Sequence, residues 1–291
     1  MLIGYVCNSY GSSPATEFGY LTTLCQSSNV DIVIMAFVYQ FFGPNGYPSV
    51  NFGPGCTNLS STYATRAPGL SNCTAIGDEI AQCQAIGKKV LVSVGGSRSN
   101  SSFTSNRQAE QFGRTMWDLF GAGTGLDPNL RPFGSNIIVD GFDIDNEDDD
   151  PRHYYLFART LRRQFREDDS KTYYLSAAPQ CPIPDESIPM SAMALADFIW
   201  VQFYNNPKCN LNTNKFRHSF AAWSKKLAAS GDSRSPRLYI GAEAYNGSGY
   251  VRGSDLWSVV NQAKQLNVDN MSGIMLWWVL GVRIGEDLAN R

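Results

Sequence analysis

The stretch from residue 136 to 147 reads NIIVDGFDIDNE, an apolar run that leads into alternating carboxylates. A β-strand places alternate side chains on one face, about 6.6 Å apart at roughly 3.3 Å rise per residue. Asp143, Asp145 and Glu147 therefore share one face of a predicted strand. We expect burial and like charge to raise the pKa of at least one of them. A carboxyl group kept protonated in this way can act as an acid.

Seven further apolar runs resemble this one in length and alternate with amphipathic segments. Nearly continuous apolar runs are typical of parallel strands buried on both faces, and strand–helix alternation predicts a parallel sheet. Eight repeats in 291 residues favour an α/β fold with a single (β/α)8 TIM barrel, which needs about 250 residues. The predicted strands are 2–7, 32–38, 89–94, 136–144, 173–178, 198–204, 238–242 and 273–278, and the predicted helices lie near 16–27, 74–87, 107–121, 153–168, 214–229 and 254–266.

No break in composition divides the chain, so we treat residues 1–291 as one domain. The segment 43–72, rich in Gly, Pro and Asn, is the longest irregular stretch, and we expect it to lie on the top of the barrel. Active sites of such barrels lie at the carboxyl ends of the strands. The three carboxylates come at the end of the fourth predicted strand, so their position and their chemistry agree.

Composition narrows the classes of partner. The net charge is −2, and the absence of a Lys/Arg run argues against nucleic acid. Aromatic residues make up 12% of the chain, which suits stacking on sugar rings. The apolar runs are far shorter than the roughly 20 residues that span a membrane, so no membrane association is expected. Met1 leads directly into an apolar strand, and we expect the chain to start at a mature domain.

Cysteine and histidine usage bears on metals and on location. Seven cysteines without a Cys-x-x-Cys pair and two histidines argue against a metal site or a cofactor. An EF-hand loop counted from Asp143 would need Gly at Asp148 and Glu at Tyr154, so that interpretation fails. Five Asn-x-Ser/Thr sequons favour a secreted or cell-wall-associated protein, although a Ser-rich chain also produces sequons by chance. They begin at Asn58, Asn72, Asn100, Asn246 and Asn270.

Several ordered motifs together resemble one family. The run Asp140-Gly-x-Asp-x-Asp-x-Glu147 is similar to the signature of the family 18 glycoside hydrolases, the chitinases. Ser93-x-Gly95-Gly96 is similar to the family's Ser-x-Gly-Gly motif at the preceding strand. Segments 36–37, 177–182, 201–207 and 275–277 resemble the small plant-type, or class III, branch, so a fungal or plant source is expected. The resemblance extends from about residue 2 to 280.

The resemblance implies hydrolysis of β-1,4 linkages in chitin by a substrate-assisted, retaining mechanism. Glu147 would be the general acid, and Asp145 would orient the acetamide N–H and stabilise positive charge. Asp143 would share a proton with Asp145 from below. Tyr204 would hydrogen-bond the acetamide oxygen, and Trp277 would form the apolar floor under the sugar. Further sugar contacts are implied for Tyr5, Phe37, Asn51, Gly95, Gly96, Gln180, Gln202 and Asn205.

Simpler interpretations of the same residues stay open without the resemblance. The two glycines could form only a tight turn that needs glycine geometry. Tyr204 could be a buried tyrosine with a satisfied hydroxyl, and Trp277 could belong to the core, where we also place Trp278. Asp148–Asp150 would be a solvated turn, with Asp149 or Asp150 as the N-cap of the next helix. Asp140 would support the strand.

The resemblance also implies a disulfide pattern and a cleft shape. The pairs would be Cys25–Cys83, Cys56–Cys73 and Cys181–Cys209, with Cys7 free in the first strand. About 30 residues between the last two strands leave no room for the α+β insertion of deep-cleft relatives, which predicts an open groove and endo-type cleavage. We also expect a monomer. Asn146 stands where many relatives carry an apolar residue, and we expect it to face away from Glu147 into a wetter helix side.

Two other functions compete with chitin hydrolysis. An endo-β-N-acetylglucosaminidase acting on N-glycan cores would use the same acid and the same acetamide. An inert chitin-binding lectin or inhibitor on the same barrel would usually lack the acidic Glu, which is present here as Glu147.

Overall fold

Eight parallel strands close into a ring in the computed structural model. The model describes residues 2–7, 20–53, 55–56, 61–230 and 235–277, with the backbone alone at 2–7, 20 and 61. The strands of the described residues are β1 (Leu2–Cys7), β2 (Ile32–Gln40), β3 (Ser49–Val50), β4 (Lys89–Gly95), β5 (Gly141–Asp145), β6 (Tyr174–Ala177), β7 (Phe198–Gln202), β8 (Arg237–Glu243) and β9 (Met271–Trp277).

Helices follow most of the strands and cover the outside of the ring. Their bounds are α1 (Tyr20–Gln26), α2 (Ser61–Arg66), α3 (Thr74–Ala85), α4 (Asn106–Phe120), α5 (Tyr154–Gln164), α6 (Met190–Met193), α7 (Phe216–Ala228) and α8 (Gly253–Lys264). None of the helices within the described ranges combines the length and the apolar character needed to cross a lipid bilayer.

The strand order shows how the barrel closes. Neighbours run β1-β9-β8-β7-β6-β5-β4-β2, and β1 also pairs with β2 in parallel. The (β/α)8 barrel predicted from the sequence is therefore confirmed. The residues between β8 and β9 are all described and form one helix, α8, which agrees with the expected lack of an insertion domain.

The short strand β3 was not predicted. It pairs antiparallel with the carboxyl end of β2, with Val38 opposite Val50 and Gln40 opposite Ser49. Segment 43–72 is thus less irregular than expected, since it contains β3, the helix α2 and a 3-10 turn at Pro44–Gly46. Its pairing with the end of β2 places this part of it at the predicted top of the barrel.

The apolar run at 136–140 precedes β5 rather than forming its first half, which corrects the predicted strand 136–144. At Gly141, the first residue of β5, the φ angle is 157° and a Cβ would lie 1.9 Å from the Tyr174 carbonyl oxygen. Ile137 and Ile138 pack partly buried against the outer core. The Asp140 carboxylate accepts a hydrogen bond from the Val90 N–H at 2.9 Å, so it supports the strand entry as expected.

Two expectations for the turn after β5 are wrong. Helix α5 begins at Tyr154 with His153 as its N-cap, not Asp149 or Asp150. Asp150 instead accepts hydrogen bonds from the backbone and guanidinium of Arg152. Asn146 was expected on a solvated side of the barrel, but it is buried, with 1% of its surface exposed. Its side chain donates to the carbonyls of Asp150 and Ser187, which fixes the turn.

Two apolar clusters hold the barrel. The larger one fills the space between the ring and the helices. The smaller one lies inside the ring and includes Ile34, Leu91, Trp200, Tyr239 and Met275. Side chains that face the interior above this cluster, at the carboxyl ends of the strands, are polar or aromatic. This mouth of the barrel is where the motif residues meet.

Candidate active site

Two carboxylates lie on strand β5 inside the barrel, and a third lies on the chain just beyond this strand. Asp143 and Asp145 lie on the interior face of β5, whereas Glu147 follows two residues after the strand ends. Asp143 is fully buried and Asp145 is 2% exposed. The three groups therefore form a column that rises from the interior to the mouth, as the alternation predicts.

The carboxylate of Asp143 is held by hydrogen bonds from side chains on three other strands. Its carboxylate accepts hydrogen bonds from the Ser93 hydroxyl at 2.7 Å, the Ser176 hydroxyl at 2.6 Å and the Trp200 indole N–H at 3.1 Å. Donors on β4, β6 and β7 fix the position of this carboxylate. Sequence reasoning did not single out Ser176 and Trp200, although both alternate onto the interior faces of their strands.

Asp145 is buried beside two other carboxylates. Burial raises its pKa well above the usual range, and the charges of Glu147 and Asp143 raise it further. The Gln202 amide donates to Asp145 at 2.8 Å and to the Ala178 carbonyl at 3.0 Å, which partly opposes that rise. Gln202 therefore touches the carboxylate column directly rather than standing apart from it.

Glu147 is poised to exchange a proton near neutrality. Burial raises its pKa to about 7, with further contributions from the charges of Asp185 and Asp148 and an opposing hydrogen bond from Gln202. A carboxyl group with this pKa is substantially protonated at neutral pH. It can therefore donate a proton to a leaving group and take one back.

Asp185 is a functional neighbour that sequence reasoning missed. It lies in the loop after β6, where its carboxylate accepts hydrogen bonds from the backbone N–H groups of Gln180 and Ser187 at 2.8 and 3.0 Å and also from that of Ile188. Burial raises its pKa to about 6. Its charge acts on Glu147. The only signal in the sequence is its place shortly after the segment 177–182.

Tyr204 lies just beyond β7, among carboxylates. It is 4% exposed, and burial together with the charges of Asp145, Glu147 and Glu243 raises its pKa well above the usual range. Its hydroxyl therefore stays protonated and can donate a hydrogen bond. The structure thus brings Tyr204 to the carboxylate column, as expected from the sequence.

Two aromatic side chains line the mouth on the opposite side of the ring. Trp277 ends β9 and Phe37 lies on β2, with their ring centroids 5.7 Å apart. Both rings are only partly buried. They pack against the inner apolar cluster and keep part of their surface exposed, so Trp277 is not a fully buried core residue.

The two glycines after Ser93 are required by close packing at the site. A Cβ on Gly95 would lie 2.2 Å from the Asp145 carbonyl oxygen, and one on Gly96 would lie 2.8 Å from the Phe37 ring. The Gly96 N–H also donates to the Asp145 carbonyl at 2.7 Å. These glycines hold the backbone of Asp145 and leave room for Phe37.

The other residues proposed to contact sugar differ in their exposure and in their hydrogen bonds. Gln180 accepts a hydrogen bond from the Asn206 amide at 3.0 Å, near the carboxylate column. Asn205 is exposed and donates its backbone N–H to the Ser248 carbonyl. Asn51 is exposed and pairs through its backbone with Phe37. The side chain of Tyr5 lies outside the described residues.

A further carboxylate, Glu243, ends β8. It is 2% exposed, and neither of its oxygens has a hydrogen-bond partner of normal geometry among the described residues. Burial raises its pKa, and the nearby Tyr245 hydroxyl opposes that rise. Sequence reasoning did not identify Glu243.

Three disulfides join the pairs implied by the family resemblance, Cys25–Cys83, Cys56–Cys73 and Cys181–Cys209. The last one links the loops that follow β6 and β7, which carry Asp185 and Tyr204. The side chain of Cys7 and all of Trp278 lie outside the described residues. Within the described part of the chain, no cluster of three or more His, Cys, Asp or Glu side chains is arranged to hold a metal ion.

Comparisons with known proteins agree with this geometry. The model of the family Glycosyl hydrolases family 18 matches residues 1–249. Endochitinase 3 of Metarhizium anisopliae is 38% identical over 262 residues, which cover 88% of this chain and 86% of that protein.

Solved structures give the same picture. A chitinase from Ipomoea carnea superimposes with a TM-score of 0.76 at 28% identity, covering 95% of this chain and 94% of that one. The xylanase and alpha-amylase inhibitor protein XAIP-II from Scadoxus multiflorus gives 0.74 at 27% identity, covering 94% and 91%. The same fold therefore occurs in an enzyme and in an inhibitor, so function depends on the residues at the mouth.

Proposed function

The chain belongs to family 18 of the glycosyl hydrolases, and we propose that it is an endochitinase that cleaves β-1,4 linkages between N-acetylglucosamine units. The observation that carries this proposal is the buried carboxylate column, in which Glu147 has a pKa of about 7 beside Asp145 and Tyr204. The 38% identical fungal relative is named an endochitinase, which supports the same substrate class.

In the first step, Glu147 protonates the glycosidic oxygen and the bond from that oxygen to the anomeric carbon breaks. The carbonyl oxygen of the sugar's own 2-acetamido group attacks the anomeric carbon on the opposite side. The product is a cyclic oxazolinium ion, and the leaving saccharide departs with the proton from Glu147. Glu147 is left as a carboxylate.

Asp145 and Tyr204 orient the acetamide for that attack. Asp145 accepts the acetamide N–H and faces the positive charge that develops on the ring. Tyr204 donates its hydroxyl proton to the acetamide oxygen and holds it near the anomeric carbon. The hydrogen bonds from Ser93, Ser176 and Trp200 to Asp143 fix the column beneath Asp145.

In the second step, the Glu147 carboxylate takes a proton from water while the water oxygen attacks the anomeric carbon. The bond to the acetamide oxygen breaks, the acetamide is restored, and Glu147 regains its proton. Two inversions at the anomeric carbon give a product of retained configuration. Trp277 supports the apolar face of this sugar throughout.

The cleft shape favours internal cleavage of a polymer. The described residues between β8 and β9 form a single helix and contain no additional strand, which favours an open groove. The three disulfides agree with an oxidising compartment. We propose that the protein acts outside the cell, as a monomer, on chitin or chitooligosaccharides.

A glycan-core endo-β-N-acetylglucosaminidase and an inert lectin or inhibitor are the competing functions. The second alternative has structural support, because the fold superimposes on that of an inhibitor protein with a TM-score of 0.74. Against it stands the acid Glu147, with Asp145 and Tyr204 beside it, because an inert protein on this barrel would usually lack that acid.

One digestion separates the three functions. Chitotetraose and a high-mannose glycoprotein are incubated in parallel with the protein, and the products are separated by mass. We expect shorter chitooligosaccharides from the first and an intact glycan on the second. Release of the glycan without cleavage of chitotetraose would identify a glycan-core enzyme, and binding of chitotetraose without cleavage of either would identify a lectin.

A further inference from the structure

Glu243 is a buried carboxylate at the mouth for which the proposed mechanism has no use. On β8, Ile240 and Ala242 belong to the outer core, whereas Tyr239 belongs to the cluster inside the ring. Because side chains alternate along a strand, Glu243 faces the interior of the ring, as Tyr239 does. It is the last residue of β8, so its carboxylate lies at the mouth.

The strand register places Glu243 between two residues of the proposed site. On one side, Glu243 lies opposite Trp277 of β9. On the other side, Gly241 pairs with Gln202 of β7, and the next backbone N–H of that chain donates to the Gly241 carbonyl at 3.1 Å. Tyr204 comes directly after this hydrogen bond and therefore lies beside the end of β8. A sugar that contacts both Tyr204 and Trp277 would have to lie across Glu243.

Low exposure does not separate Glu243 from the site. Glu243 is 2% exposed, and Asp145 and Tyr204, which the proposed mechanism places against the substrate, are 2% and 4% exposed. A Cβ on Gly247 would lie 2.6 and 2.8 Å from the two Glu243 oxygens, so the loop after β8 packs against the carboxylate. The loop covers it without donating a hydrogen bond to it.

The carboxylate of Glu243 lacks the donors that the other buried carboxylates have. Neither of its oxygens has a hydrogen-bond partner among the described residues, whereas Asp143 accepts three hydrogen bonds and Asp145 accepts one from Gln202. A buried acceptor without a donor destabilises a fold. Such groups are rare in native proteins, and they are expected where function requires them.

We propose that Glu243 is a substrate-binding residue whose carboxylate accepts a hydrogen bond from a hydroxyl of the sugar that stacks on Trp277. This inference rests on the proposed chitinase function, because it needs a sugar at that position. Within a β-1,4-linked chain the oxygens at C1 and C4 form the linkages, and Asp145 takes the acetamide N–H. The donor is therefore the hydroxyl at C3 or the hydroxyl at C6, and an ionised carboxylate can only accept from it.

The first test needs no substrate and separates a binding role from a structural one. Glu243→Met replaces the carboxylate by an apolar side chain of similar length. Because the carboxylate has no donor, we expect the midpoint of urea denaturation to equal or exceed that of the wild-type protein. Glu167→Met, at an exposed carboxylate, is the matched control and should leave the midpoint unchanged. A clearly lower midpoint in Glu243→Met alone would show that Glu243 stabilises the free protein and would overturn the proposal.

The second test measures the kinetics of chitotetraose cleavage. Loss of a hydrogen bond to a charged group corresponds to roughly a tenfold change in affinity, so Glu243→Met should raise KM about tenfold. Its kcat should stay close to the wild-type value, the pattern of a contact made equally in the bound state and in the transition state. Glu243→Gln keeps the shape and an acceptor oxygen, so it should fold normally and recover most of the affinity. An unchanged KM in folded Glu243→Met would overturn the proposal.

Modified substrates identify the hydroxyl that donates. Analogues of chitotetraose that lack the C3 or the C6 hydroxyl are compared in the wild-type protein and in Glu243→Met. Removal of the donor should weaken binding to the wild-type protein and have little further effect in the variant. Equal effects in both proteins for both analogues would contradict a contact between Glu243 and either hydroxyl.

Failure of the proposed function looks different from failure of this inference. If the wild-type protein neither binds nor cleaves chitotetraose, the chitinase proposal fails and this inference fails with it. If the wild-type protein cleaves chitotetraose while Glu243→Met keeps the same KM, only the role of Glu243 is wrong.

Discussion

The carboxylates of the column differ in environment, and this difference assigns their roles. Asp143 accepts three hydrogen bonds from fixed donors. Burial raises the pKa of Asp145 well above its usual range and raises that of Glu147 to about 7. The two groups share one charged neighbourhood and titrate as a unit, and Glu147 is the member nearer the mouth, where a leaving group would need a proton.

Asp185 should set the alkaline limit of activity. Its charge raises the pKa of Glu147, so Asp185→Asn should lower that pKa from about 7. Because a general acid must be protonated, the alkaline limb of the pH profile of kcat/KM should move to lower pH. The asparagine oxygen can still accept from the Ser187 and Ile188 N–H groups, whereas the Gln180 N–H loses its acceptor, so circular dichroism is used to establish that the variant is folded.

The control for this prediction is Asp169→Asn, an exposed carboxylate before β6 at the opposite end of the barrel. Its profile should coincide with that of the wild-type protein. An unchanged alkaline limb in Asp185→Asn would mean that the charge of Asp185 does not contribute to the pKa of Glu147.

At the residue scale, motifs predicted the site only where the spacing along one strand carried the information. The alternation after residue 140 predicted the shared face of Asp143 and Asp145. Asp185 and Glu243 reach the mouth from the ends of other strands, and nothing local marks them. Their contributions depend on burial and on neighbouring charge, which only the folded ring creates.

At the scale of elements, the end of β4 packs closely against the end of the neighbouring strand β5. Gly95 has a φ angle of 114°, and a Cβ there would meet the Asp145 carbonyl at 2.2 Å. Gly95→Ala should therefore both strain the turn and displace Asp145. We expect a loss of unfolding free energy of at least about 2–3 kcal/mol, measured by urea denaturation, together with a fall in kcat.

Gly87 provides a matched control for that substitution. It also has a positive φ angle, 84°, but a Cβ there would meet nothing within 4 Å. Gly87→Ala should cost only the strain of the left-handed conformation, about 1 kcal/mol, and leave kcat unchanged. Equal losses in the two variants would show that the contact with Asp145 carries no energy.

The limits of sequence-based prediction are clearest at β5, the strand that carries Asp143 and Asp145. Residues 136–140 have the composition of a strand, yet β5 starts only at Gly141. Strand β3 has two residues and no periodicity to reveal it. The observed helix bounds differ from the predicted ones by a few residues, because capping at positions such as His153 depends on the geometry of the preceding turn.

At the scale of the whole molecule, ring closure brings the distant segments together. The pairing of β1 with both β2 and β9 closes the sheet, so Trp277 and Phe37, far apart in sequence, form one aromatic surface. The strand–helix repeat was sufficient to predict this architecture. The pairing of the cysteines was not derivable from spacing, and the family resemblance supplied it.

The central claim is that Glu147 supplies the proton for acetamide-assisted cleavage of chitin. The most direct test is the initial rate of chitotetraose cleavage by Glu147→Gln beside that of the wild-type protein, with circular dichroism to establish that both are folded. The account predicts a folded variant whose rate is lower by about two to four orders of magnitude. A folded variant that cleaves chitotetraose at nearly the wild-type rate would contradict it.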